Sequence, residues 1–306
     1  MHAAVLTAML FALTGVCAAQ ASRLLGAGRA NAWRLVVALL VLGIWAHGWG
    51  QGLGGGVLRW FLLAGGIGFG GGGWCVFQAL RRIGSTLTLL IVECAAAVFA
   101  TAIGWLWLGA ALGPWQIACA ALILAGVGVG GMPGPIPALR RDAIITGCVL
   151  AIAAALCQAV SFNLSRHAFT LMQHAGQSIQ PLGAAYQRLL GGCLVAVPLY
   201  ALTVVMQRRS RAPSQPDAQS APFPESPLAA GAWVGLNALL GPVLGVTCML
   251  WAISLVANPG LVQAIAASST LLTVPFARRL EAARPRVSYF VGCLLALGGV
   301  AGLLLT

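Results

Sequence analysis

The chain has 306 residues, of which 60% are hydrophobic and only 7% charged, with a mean hydropathy of +0.93. Soluble domains carry about a quarter charged residues, so an ordinary water-soluble globule is excluded. The 17 cations outnumber 5 acids, a surplus that would suggest nucleic acid in a soluble protein. Here every cation is an arginine, and eight of them fall in adjacent pairs between apolar runs. That is the pattern of helix-end anchors and topology signals, so no nucleic-acid partner is expected.

About 20 apolar residues suffice to cross the hydrocarbon core. The apolar runs predict ten spans, near 3–21, 33–50, 58–79, 85–108, 114–131, 143–165, 183–206, 230–252, 259–277 and 286–305. The first run, AAVLTAMLFALTGVCAAQ, lacks a basic n-region and a clear cleavage site and reads as a retained helix. The third span ends in GGIGFGGGGW, residues 65–74, where Gly66, Gly68 and Gly70 imitate part of a nucleotide loop. Such a loop needs a preceding strand. Without one, the glycines read as a close-packing face, and a hinge is compatible with that reading. Trp74 closes the run as a stacking surface for a ligand or as an interfacial anchor.

The junctions Arg81-Arg82-Ile83-Gly84, Gly109–Gly113 and Val256-Ala257-Asn258 are short, which makes the helices they join antiparallel neighbours. Past the first junction lies Glu93, the only charge between Arg82 and Arg140. It falls roughly nine residues into its helix, about 12 Å along the axis. A charge near the membrane centre costs on the order of 2.5–3.5 kcal/mol on insertion scales. The carboxyl must therefore face protein or water, or carry a proton. Two readings stay open: a proton-coupling or cation-binding group on a central cavity, or a hydrogen-bonded tether between helices. Gln158 and Asn163 in the sixth span and Asn237 in the eighth share this ambiguity, because polar side chains also serve as interhelical hydrogen bonds. His167 and His174 fall in SRHAFTLMQHAGQSIQP, read as a solvated connection. The Pro/Ser-rich stretch 207–227 reads as a mobile loop outside the membrane. The 9 cysteines are scattered singly, without a metal or redox pattern, and no cofactor is expected.

A shift of 173 residues superposes Trp60 on Trp233, Gly68 on Gly241, Gly72 on Gly245, Cys75 on Cys248 and Gly126 on Gly299. The expected organisation is therefore two repeats, 1–131 and 141–306. Five helices per repeat is an odd number, so the second repeat enters the membrane inverted. That architecture allows two halves to rock about a midplane site. Under the same shift Glu93 meets Ala266, one turn from Gln263, so Gln263, Ser268 and Ser269 are expected across the cavity from Glu93.

The stretches Ala79–Gly131 and Ala252 onward resemble the second part of an EamA domain, the unit of ten-helix transporters in the drug/metabolite transporter superfamily. Arg34 and Arg188 match that family's arginine early in the second helix of each domain, and Glu281 in RRLEA matches its glutamate after the fourth. The first half departs from the pattern by placing Ala110 at the equivalent position, and the usual proline within the fourth helix is absent near Ala95 and Ser269. The resemblance implies a secondary transporter, often an exporter of small metabolites, amino acids or drugs, in a bacterial inner membrane. A monomer or homodimer is expected, with the bilayer and a small-molecule substrate as partners. A channel and a non-transporting scaffold remain as alternatives; no catalytic motif argues for an enzyme. Thirteen arginines near the odd-numbered connections against two on the other face put both termini outside, whereas the resemblance implies termini inside.

Overall fold

The structure, a computed structural model, describes residues 2–25, 27–131, 141–209, 227–272 and 287–305. Among these residues every regular element is helical. Hydrocarbon offers no partner to backbone polar groups, so each must be satisfied inside its own segment. In chain order the elements are α1 (His2–Leu25), α2 (Ala27–Gly48), α3 (Leu58–Gly65), a π-helical segment (Gly66–Gly72), α4 (Gly73–Leu108) and α5 (Pro114–Gly131). After these come α6 (Arg141–His174), α7 (Pro181–Arg209), α8 (Pro227–Ala238), a second π-helical segment (Leu239–Gly245), α9 (Val246–Leu255), α10 (Pro259–Ala267) and α11 (Val287–Leu304). Eight helices among the described residues are long and apolar enough to cross a bilayer. The first and ninth expected spans hold the shorter apolar helices His2–Ala18 and Pro259–Leu272, so length alone does not reach a count of ten.

Helical backbone runs through all 36 residues of α4, which drawn straight would extend about 54 Å. Its contacts show that it doubles back. A β-carbon on Gly72 would meet Cys157 and Ala154, and one on Gly147 would meet Ile83, so the first stretch runs antiparallel to α6. Further on, Gln158 reaches Glu93 and Asn163 donates to the Ala100 carbonyl, so the later stretch runs parallel to α6. The reversal lies between Ile83 and Glu93, at the end of the short arginine junction and just past it. Leu58–Leu80 and Leu87–Leu108 are accordingly separate candidate spans.

The two π segments are 173 residues apart at both ends, the offset of the sequence repeat. Packing is reciprocal as well. α1 lies on α8, the second π segment, α9 and α10, while α6 lies on α3, the first π segment and α4. Two contacts explain glycines that sequence alone left as generic packing. A β-carbon on Gly65 would fall on the Arg188 backbone, and one on Gly191 on the Leu62 backbone, so α3 and α7 cross backbone to backbone. α5 and α11 meet in the same way through Gly126 and Gly292. Without a hydrophobic driving force inside lipid, such small-residue contacts supply the dispersion attraction that holds helices together.

One expectation is corrected. His167 and His174 belong to α6, not to a connection, because α6 continues to His174. His167 packs against Trp60 and Trp107, with ring centroids 4.8 and 5.1 Å away. The Pro/Ser-rich stretch expected at 207–227 is helical at its two ends and otherwise lies outside the described residues. Glu281, Arg278, Arg279, Arg284 and Arg286 also lie outside them.

Candidate functional site

Glu93 sits on the part of α4 that lies between α6 and α10. The Gln263 side-chain amide donates from Nε2 to Glu93 Oε2 at 2.7 Å, and the Gln158 side chain approaches the same carboxyl from α6. Three helices thus converge on one acid through two amides. Gln263 is fully buried, and its Oε1 has no hydrogen-bond partner. A buried acceptor without a donor costs roughly 1–3 kcal/mol unless something fills it. Chemically the cluster is a carboxyl, a free amide carbonyl and two amide donors: a place for a proton or for a small cation.

The other expected residues have separate surroundings. Asn163, fully buried, spends its amide on the Ala100 and Ala159 carbonyls at 3.1 and 3.0 Å, tying α6 to α4, and its Oδ1 is unpartnered. Ser268 donates to the Ile265 carbonyl at 2.6 Å and closes the end of α10. Ser269 is buried at 6% exposure, and no hydrogen bond joins it to Glu93. Asn237, 1% exposed with Oδ1 unpartnered, stands beside the second π segment. A β-carbon on Gly241 would lie 3.7 Å from that Oδ1 and 3.3 Å from Thr14 Oγ1, and Thr14 Oγ1 is likewise without a partner. Trp74 is 38% exposed, and no hydrogen bond or ring contact joins it to Glu93. Of the eight residues expected, Gln263 and Gln158 are brought onto Glu93 and the other five are not.

Sequence reasoning assigned three polar residues no site role. Asn258 caps α10 by accepting from the Gly260 amide at 2.9 Å, and it donates to the Thr101 and Ala110 carbonyls at 3.2 and 2.8 Å. The Asn-Pro-Gly order at the helix start was its signal. Arg166 donates to the Ile253 and Ser254 carbonyls at 3.3 and 2.6 Å, satisfying the last turn of α9. Arg188, 3% exposed, donates from Nη2 to Ser161 Oγ at 2.7 Å. A single cation inside an apolar run is visible in sequence, but its burial depends on how α3 and α7 cross.

An open groove lined by Gln180, Thr247, Trp251 and Ser254 lies where α7 begins and α9 ends, at the turn of α9 whose carbonyls Arg166 holds.

The model of the EamA-like transporter family matches residues 1–129 and again residues 145–305. A solved structure described as "Crystal structure of protein" is similar over 99% of this chain and 97% of its own, at 22% identity and a TM-score of 0.68. At that identity the likeness concerns the fold alone. No curated protein matches the chain.

Proposed function

The chain belongs to the EamA-like transporter family, and from that premise we propose that it is a secondary active carrier. It exports small metabolites, amino acids or drugs by alternating access of two inverted five-helix halves, with Glu93 as the coupling group. At the coarser level it is an integral membrane transporter of the drug/metabolite type, a family of transporters and not of enzymes.

The observation that carries the reading is the 2.7 Å bond from Gln263 to Glu93. It joins α4 to α10, helices that the repeat makes equivalents, through the one acid of the first half's apolar spans. Matched π segments at the repeat offset add support, since wide turns inside helices mark functional sites and hinges. Reciprocal packing of α1 and α6 on the opposite half suits two bodies that rock against one another. Each conformation would expose the carboxyl to one side, allowing proton and substrate to exchange there in turn. The bacterial inner membrane is the proposed location, and a monomer suffices because the two halves already supply the pseudo-symmetry.

The test is counterflow in proteoliposomes, using whichever metabolite, amino acid or drug raises the melting temperature of the purified protein. Saturable uptake accelerated by unlabelled substrate on the far side is expected. Uptake that never saturates and ignores the far side would identify a channel.

A further inference from the structure

Arg188 is a buried cation with no counter-charge among the described residues. Its one hydrogen bond runs from Nη2 to Ser161 Oγ. That hydroxyl itself donates to the Ala64 carbonyl at 2.5 Å, so its own proton is committed. Nε and Nη1 are buried without any acceptor. The guanidinium carbon lies 5.6 Å from the Phe69 ring and 5.1 Å from the Phe162 ring. Phenyl faces attract a cation but offer no lone pairs to its N–H groups. Glu93 does not fill the gap: its hydrogen bond is with Gln263, and no ion pair joins it to Arg188. A residue retained only to tie α7 to α6 would need a single donor, whereas this one carries five N–H groups.

Resting on the reading of the chain as a carrier, we infer that Arg188 is the subsite for a carboxylate on the transported molecule. One guanidinium neutralises one carboxylate and matches its plane with paired N–H donors. A dianionic phosphate would bring a second charge, and the groups around Arg188 (Ser161, Phe69, Phe162, Gly65 and Gly68) include no second cation. The cover over the site is Phe69, which belongs to the glycine-rich π segment Gly66–Gly72. Movement of that segment uncovers the guanidinium, so the segment proposed as a hinge also gates the subsite. Gln158 and Ser161, the α6 partners of Glu93 and Arg188, are one turn apart, a rise of about 4.5 Å. The coupling acid and the anion subsite therefore flank the same stretch of α6, and a ligand seated on Arg188 lies beside the group that exchanges protons.

The test uses the full-length protein in nanodiscs with acetate, benzoate, L-phenylalanine and citrate. Each is paired with its neutral carboxamide and balanced with sodium chloride. Carboxylates are expected to raise the melting temperature where their carboxamides and chloride do not. Arg188→Gln should weaken carboxylate binding at least tenfold, Arg188→Lys should restore part of it, and Arg34→Gln should leave it unchanged. The subsite is overturned if no carboxylate stabilises the wild type, if carboxamides or chloride match the carboxylates, or if Arg188→Gln retains the preference. The wild-type comparison decides the matter even where the variant does not fold. Carboxylate binding without counterflow would sink the carrier reading alone; counterflow of a neutral compound, with no carboxylate preference, would sink the subsite alone.

Discussion

The two π-helical segments occupy equivalent places in the repeat and face different chemistry. Gly66–Gly72 is glycine at five of seven positions and packs over Ser161 and Arg188. Leu239–Gly245 carries Pro242 and packs over Thr14 and Phe11, with only neutral polar atoms, Thr14 Oγ1 and Asn237 Oδ1, beside it. The matched arginines diverge in the same way. Arg188 is 3% exposed, whereas Arg34 is only partly buried and bonds Asn31 Oδ1 at 2.8 Å, one turn away on its own helix. Glu93 has Ala266 as its counterpart. The repeat keeps the scaffold, namely helix order, wide turns and small-residue crossings, while Glu93 and Arg188 both lie against α6 without an equally placed counterpart in the other half. A carrier of the kind proposed above would need its two-fold for motion but not for binding.

The largest effect should come from removing the glycine crossing that makes the first side different. Gly65→Leu drives a side chain into the Arg188 backbone; overpacking costs about 1–3 kcal/mol and sometimes more. Loss of folded protein on size-exclusion chromatography is expected. Ala238→Ser, at the position equivalent to Gly65, should shift the melting temperature far less; equal damage at both would erase the asymmetry. Next in size is Gln263→Leu, which leaves Glu93 with Gln158 alone. A destabilisation of about 1–3 kcal/mol in detergent unfolding is expected, against less than about 1 kcal/mol for Asn31→Ala at the partly buried arginine. Asn258→Ala removes a cap, a bond to α4 at Thr101 and a bond to the following connection at Ala110, and about 1–2 kcal/mol should be lost. Smallest of all, Trp74→Phe should change stability by less than about 0.5 kcal/mol and leave counterflow untouched; a loss of substrate binding would return Trp74 to the site.

Much of this was legible before the structure. Apolar runs announced the helices, because an uncharged stretch of that length has few other uses. The offset read from Trp60, Gly68 and Gly72 against Trp233, Gly241 and Gly245 is the offset of the two π segments. The same offset pointed to Gln263 as a partner of Glu93. The interior role of Arg188 was not legible, since an arginine inside an apolar helix reads equally well as a snorkelling anchor. The backbone crossing at Gly65 and Gly191 buries it, together with Phe69 and Phe162 over the guanidinium. His167 was misplaced because SRHAFTLMQH is polar enough to resemble a loop, yet α6 is 34 residues long, about 51 Å, and outruns the hydrocarbon. Asn163 looked like a site residue by burial and polarity, and its amide is spent on two backbone carbonyls.

The most direct test of Glu93 as the coupling group is to track lumenal pH in proteoliposomes while substrate is added outside, comparing wild type with Glu93→Gln. Glutamine preserves the shape and one carbonyl acceptor for the Gln263 amide but cannot exchange a proton. The account predicts that substrate moves protons through the wild type, that the variant moves none, and that the variant still performs counterflow. Substrate-driven proton movement through Glu93→Gln at the wild-type rate would contradict it and leave Glu93 as a tether between α4, α6 and α10.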